Sequence, residues 1–180
     1  LVLISKNSSV SIGINQVEPP QIFVTFSEMM LLALNDEEKR LWTNSEDFAN
    51  ISPIDQDASL DFKKLLQPKE LGKHEFLIQE GSPVHHGYLL LEGVIRVFFN
   101  NDGNEYNKTF FVPGMFPTPL TALLSRSPCA LSFQALTPCR LLRFSYPQFR
   151  MLFARHRCLE TLMLSILEQE WIKKESHDIR

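Results

Sequence analysis

Apolar and polar positions alternate in short blocks through the middle of the chain. Between His86 and Gly114, three apolar runs, Tyr88–Leu91, Val94–Phe99 and Tyr106–Phe111, are parted by Glu92-Gly93 and by the polar cluster Asn100–Glu105. β-Branched and aromatic residues suit a pleated, half-buried surface, and Asp102-Gly103 permits the positive backbone angles of a tight hairpin, so the stretch predicts a strand meander. Lys73–Ile78 predicts an earlier strand, left through the turn Gln79–Pro83, while Ala130–Leu136 and Arg140–Phe144 predict two later ones on either side of Thr137-Pro138. Six of the seven glycines lie from Gly72 to Gly114 at intervals of six to eleven residues, the punctuation that turns between successive short strands require. The pattern implies a mainly β chain with flanking helices, a double-stranded β-roll (jelly roll) of about eight strands.

Around this sheet the period lengthens. Asp55–Gln67 predicts a short amphipathic helix, with Leu60, Lys63, Leu65 and Leu66 on its stripe and Pro68 ending it. After Phe116 the strand rhythm breaks, and Thr118 as N-cap with Pro119 at the first helical position predicts one short internal helix reaching Leu124. Ser145 caps a segment Tyr146–Arg155 with Pro147 in its first turn, and a long C-terminal helix follows from Cys158. Leu159, Leu162, Met163 and Ile166 form its stripe, which fades at Glu168–Glu170 and resumes at Trp171 and Ile172, too short a repeat for a coiled coil by itself. Arg180 arrives without a C-cap signal, as in a helix that continues.

Residues 1–47 differ in kind, with Ser/Asn clusters, a Pro19-Pro20 break and one helix near Ser27–Trp42. They read as a poorly specified extension that need not belong to the domain. The first residue is Leu, which makes Met29 or Met30 a candidate start, although Met29–Leu32 equally fits the apolar face of that helix. The organisation expected is therefore 1–47 extension, 48–157 roll and 158–180 the start of a longer helix.

Composition narrows the functional classes. With 180 residues, 44% of them hydrophobic, the chain can build one full core and a small appendage. A net charge of −3 lacks the basic face by which a nucleic-acid-binding module works alone. Cys129, Cys139 and Cys158 form an odd set without a C-x-x-C pair, which argues for reduced thiols over a disulfide framework or a zinc site. No apolar stretch is long enough for a membrane span and the N-terminus lacks a signal-peptide pattern, so a cytoplasmic protein is expected. Ser125, Ser127 and Cys129 carry no signature of a base and orienter, and a catalytic role is not indicated. Adjacent His85-His86 in a strand would point to opposite faces and chelate no single ion.

Four segments together resemble the cyclic-nucleotide-binding effector domain of Crp/Fnr-type transcription regulators. They are Leu71–Gly81 (LGKHEFLIQEG), Tyr88–Val97 (YLLLEGVIRV), Asp102–Glu105 (DGNE) and Pro113–Phe116 (PGMF), and the likeness runs from about Phe48 to Arg180. The resemblance implies a ligand pocket after the meander, here Gly114, Met115, Phe116, Thr118, Leu120, Arg126, Ser127, Cys129 and Ala130. It implies a homodimer through the long helix at Leu159, Leu162, Met163 and Ile166, and DNA binding through a helix-turn-helix domain beyond Arg180. Nucleotide-binding members open the short helix with Gly-Glu for the ribose and later use Arg-Ser or Arg-Thr for the cyclic phosphate. Aligned without gaps from Gly114, those positions are Thr118-Pro119 and Cys129-Ala130, so both charged contacts are missing. Arg126-Ser127, three residues early and followed by Pro128, is the one substitute. The expectation is a regulator diverged from cAMP binding, its small-molecule effector unidentified, with no cofactor and no metal. The alternatives are a genuine cAMP or cGMP domain using Arg126 and Ser127, a stand-alone interaction module, and a cupin-type metal enzyme, disfavoured because His74, His85 and His86 lack the H-x-H spacing. Cys129 reads as a packed small hydrophobe, with a redox-sensitive thiol as its alternative.

Overall fold

The computed structural model of the chain describes residues 23–24, 36 and 54–178. The helix expected over Ser27–Trp42 and the candidate starts Met29 and Met30 lie outside the described residues, except for Asp36, which is helical. Nine strands and four α-helices follow in chain order among the described residues: β1 Phe23–Val24, β2 Ile54–Asp55, α1 Gln56–Lys63, β3 Gln67–Leu71, β4 Phe76–Ile78, β5 His86–Glu92, β6 Ile95–Asn101, β7 Asn104–Phe111, α2 Leu120–Ser125, β8 Ser132–Ala135, β9 Cys139–Ser145, α3 Tyr146–Met151 and α4 Arg157–Asp178. A 3-10 turn, Leu152–Ala154, joins the last two helices.

Two antiparallel sheets make the roll, one ordered β3-β9-β5 and the other β4-β8-β6-β7. Their inner faces enclose Leu77, Ile78, Leu90, Ile95, Val97, Phe133 and Leu141, all buried, and the outer face of the three-stranded sheet is covered by helices. There Phe144 meets Phe62 of α1 and Phe149 of α3 edge-on, at ring distances of 5.1 and 5.4 Å. Gly87 makes room for that ring, since a Cβ at this position would stand 2.3 Å from Phe144 Cζ. β1 pairs with β2, so part of the first 47 residues lies alongside the domain.

The hairpin of the meander forms as the sequence predicts, with Asn101 opposite Asn104 and both Asp102 and Gly103 at positive φ. Four expectations are corrected. Lys73–Ile78 is not one strand: His74 is left-handed at φ 69, and the Glu75 carboxylate accepts from the Gly72 N–H at 2.7 Å. That turn carries the chain from one sheet to the other. Pro68 does not end a helix but sits in β3, an edge strand, where a missing N–H costs no ladder bond on the open side. The buried face of α1 is Ala58, Ser59 and Phe62, while Leu60, two residues before Phe62 and so on another face of the helix, is 46% exposed. Finally, β8 begins at Ser132, two residues after the predicted Ala130.

Candidate functional site

The segment from Gly114 to Leu131 leaves the meander, crosses the roll and returns to β8. Its first part lies along the free edge of β5. The Gly114 N–H donates to Leu90 O at 2.9 Å and the Leu90 N–H to Met115 O at 3.0 Å, which covers an edge that would otherwise be open to pairing. Thr118 continues this contact by accepting from the Tyr88 N–H through Oγ1 at 2.9 Å. Thr118 is therefore not the helix cap that the sequence suggests. Pro119 occupies the N-cap of α2, without a side-chain cap bond, because the Thr118 hydroxyl is engaged with β5.

Helix α2 buries Ala122 and Leu123 and ends in Arg126, which is left-handed at φ 55. The Ser125 and Ser127 hydroxyls lie 2.7 Å apart, and Arg126 and Ser127 are both exposed. The return is pinned to the turn after β4. The Cys129 N–H donates to Ser82 O and the Gly81 N–H to Cys129 O, at 2.9 and 2.7 Å, and the Glu80 N–H donates to Ser132 Oγ at 3.1 Å.

These bonds place each predicted pocket residue. Gly114 is buried at positive φ, Met115, Phe116, Thr118 and Leu120 are half-buried, Cys129 is buried and Ala130 is exposed. At Cys129 and Ala130 the chain thus offers a buried thiol and an exposed methyl. At the helix start it offers Pro119, which has no N–H to donate. Arg126 forms no ion pair or hydrogen bond with the described residues. Among the described residues, no three His, Cys, Asp or Glu side chains gather as a metal ligand set.

The long helix uses its predicted stripe differently. Leu159 and Leu162 are 0% and 2% exposed and belong to the chain's own core, with Met163 and Ile166 half-buried against it. The strongest apolar stripe of the helix covers the nearest apolar surface first, so within one copy these four residues fasten α4 to the roll. The outward apolar side chains of α4 are Leu164, Trp171 and Ile172. At the base of α4, a polar clamp had no signal in the sequence. His156 Nε2 stands 2.8 Å from Asp61 Oδ2, and Asp61 also receives Lys64 Nζ at 2.7 Å. The Lys64 ammonium, and then His156, hold the Asp61 carboxyl down to about 2.

The two face-to-face sheets, the helix that interrupts them and the long helix behind them define a β-roll with one internal helix. Residues 68–156 match the cyclic nucleotide-binding domain family, and this segment belongs to it. No curated protein matches the sequence. Among solved structures, the Thermus thermophilus catabolite activator protein is 18% identical with a TM-score of 0.62, over 75% of this chain and 61% of that one. The sensor domain of the transcriptional regulator DNR from Pseudomonas aeruginosa is 17% identical with a TM-score of 0.54, over 63% and 80%. The regulatory subunit of a cAMP-independent protein kinase A from Trypanosoma cruzi, bound to guanosine, is 19% identical with a TM-score of 0.57, over 72% and 43%. These likenesses are of fold. No helix among the described residues is long and apolar enough to cross a membrane.

Proposed function

We propose that the chain is the effector-sensing and dimerisation part of a Crp/Fnr-like transcription regulator, without enzymatic activity, whose cassette, the segment from Gly114 to Leu131, has lost the ionic grip on a cyclic phosphate. The observation that carries this reading is the pair of replaced positions. Pro119 stands where a carboxylate and a helix-start N–H would serve, and buried Cys129 with exposed Ala130 stands where a guanidinium and a hydroxyl would bind. A cyclic phosphate in that place would give up water for no charge-assisted bond, a loss of about 1.5–3 kcal/mol for each missing contact. The effector is then a small molecule of other chemistry. In such a regulator a helix-turn-helix domain reads the DNA. Effector binding acts by favouring one of two orientations of α4, which requires different affinities for the two states.

Calorimetric titration of the chain with cAMP and with cGMP tests the reading. The expected outcome is no saturable heat at micromolar nucleotide. Micromolar cAMP binding that disappears in Arg126→Ala overturns it and establishes the second reading, a genuine cyclic-nucleotide site using Arg126 and Ser127. That second reading draws on the family match and on the exposed, unpaired guanidinium of Arg126 among the described residues.

A further inference from the structure

A cleft of about 660 Å³ opens between β3, β4 and the loop that leads into β5, a volume in the range of small-molecule sites. Buried Leu77, Ile78 and Val84 form its apolar part, and His86 and Tyr88 of β5 line it as well. The last two alternate with Gly87, over which the Phe144 ring packs, so their own rings turn to the inner face of the roll. The loop that makes one wall is held in place. Its Gly81 N–H donates to Cys129 O and its Ser82 O accepts from the Cys129 N–H, at 2.7 and 2.9 Å, so the wall needs no ordering when a ligand enters.

Tyr88 is the residue that points to a ligand. It is 8% exposed, yet its hydroxyl makes no hydrogen bond among the described residues. The bond to Thr118 uses the backbone N–H of Tyr88 and leaves the phenol unengaged. A buried hydroxyl without a partner is destabilising, and few occur in folded proteins. Burial raises the Tyr88 hydroxyl above its ordinary pKa, against the opposing charge of Arg143, so the O–H keeps its proton at neutral pH and is a donor.

Charge gives the cleft no preference for an ion. Its lining holds one lysine, Lys69, and two glutamates, Glu70 and Glu75. The Glu75 carboxylate accepts from the Gly72 N–H, and Glu70 alternates with Lys69 onto the opposite face of β3, in register with Arg140. Burial first, and then the charges of Arg143, His85 and Lys69, hold His86 below its ordinary pKa, so its imidazole is neutral at pH 7. An ion entering here would give up its water without a dedicated counter-charge, whereas an uncharged ring with one polar edge gives up little.

We propose that this cleft binds a small uncharged aromatic compound bearing a hydrogen-bond acceptor, such as a carboxamide. The acceptor takes the Tyr88 O–H, and the ring lies on Leu77, Ile78 and Val84. No residue of the cassette from Gly114 to Leu131 lines the cleft, so the site stands whether or not the cassette binds a cyclic nucleotide.

The test is a fluorine NMR titration of the whole chain at pH 7 with 4-fluorobenzamide, 4-fluorobenzoate, 4-fluorobenzylammonium and fluorobenzene. Saturable line broadening is expected for 4-fluorobenzamide, and the other three are expected to bind about fivefold more weakly, the worth of one hydrogen bond. Tyr88→Phe removes only the hydroxyl. It is expected to weaken 4-fluorobenzamide by the same factor of about five while melting no lower than the parent, since no internal bond is broken. Overhauser contacts from the ligand ring to the methyl groups of Leu77, Ile78 and Val84 locate it, and they are read alone if Tyr88→Phe melts below the parent. Equal binding of fluorobenzene or of either ion, unchanged affinity in Tyr88→Phe, Overhauser contacts confined to other residues, or no saturable binding at all would each overturn the proposal.

Discussion

Single residues set the limits of this roll where the backbone comes closest to something else. Gly87 lies under the Phe144 ring, and Gly93, at φ 95, would put a Cβ 2.4 Å from Pro138 O. Gly103 also has positive φ, yet nothing lies within 4 Å of its would-be Cβ. The three positions look alike in the sequence, as turn or strand-end glycines, and only the folded chain separates them. Gly87→Ala pushes Phe144 out of its edge-on contacts and is expected to cost about 1–3 kcal/mol of stability, the usual penalty of overpacking. Gly103→Ala pays for its left-handed backbone alone, about 1 kcal/mol. Urea denaturation of both variants checks the order, and a Gly103 variant less stable than the Gly87 variant would contradict it.

Among the elements, α1 and the base of α4 are joined by a hydrogen bond that spans 95 residues of sequence. Asp61 binds Lys64 on its own helix and His156 at the base of α4. Its pKa falls from 3.8 to about 2, so folding favours the ionised carboxylate. A depressed carboxylate contributes stability that is complete above the unfolded value and is lost as pH falls through the folded one. Asp61→Asn is therefore expected to melt below the parent at pH 6, with the gap closing as pH drops from about 4 to about 2. A gap of constant size across that range in thermal melts would show that the contact is not electrostatic. The elements themselves were visible in part. The Asp102-Gly103 hairpin and the Ser145 cap form where local chemistry puts them, and Ser145 Oγ accepts from the Gln148 N–H. The break at Gly72–Glu75 was not legible, because Lys73–Ile78 contains no glycine or proline and the turn depends on left-handed His74 and on the His74 N–H donating to Ala135 O.

For the whole molecule, the question is which surface of α4 a second copy would meet. Leu159 and Leu162 are spent on the chain's own core. Leu164, Trp171 and Ile172, between 57% and 62% exposed, recur at intervals of seven and eight and lie along one outward stripe. On the proposed homodimer this is the stripe that pairs. Leu164→Glu/Ile172→Glu is expected to sediment as one copy where the parent sediments as two, with monomer stability changed by no more than about 0.5 kcal/mol per site. A variant that remains dimeric would place the interface elsewhere.

By itself, the sequence determined the roll, its meander, the capped helix after it and the family to which residues 68–156 belong. The elements follow from spacing, turn chemistry and periodicity, which are local and survive in a linear reading, and the family from the likeness of four segments of the chain. Tertiary structure alone decided that Thr118 ties the cassette to β5 instead of capping α2, and that the first apolar stripe of α4 faces inward. The physical reason is the same in each case. A hydroxyl, a stripe or a charge has several partners within its reach, and the chosen one is brought near by residues distant in the chain.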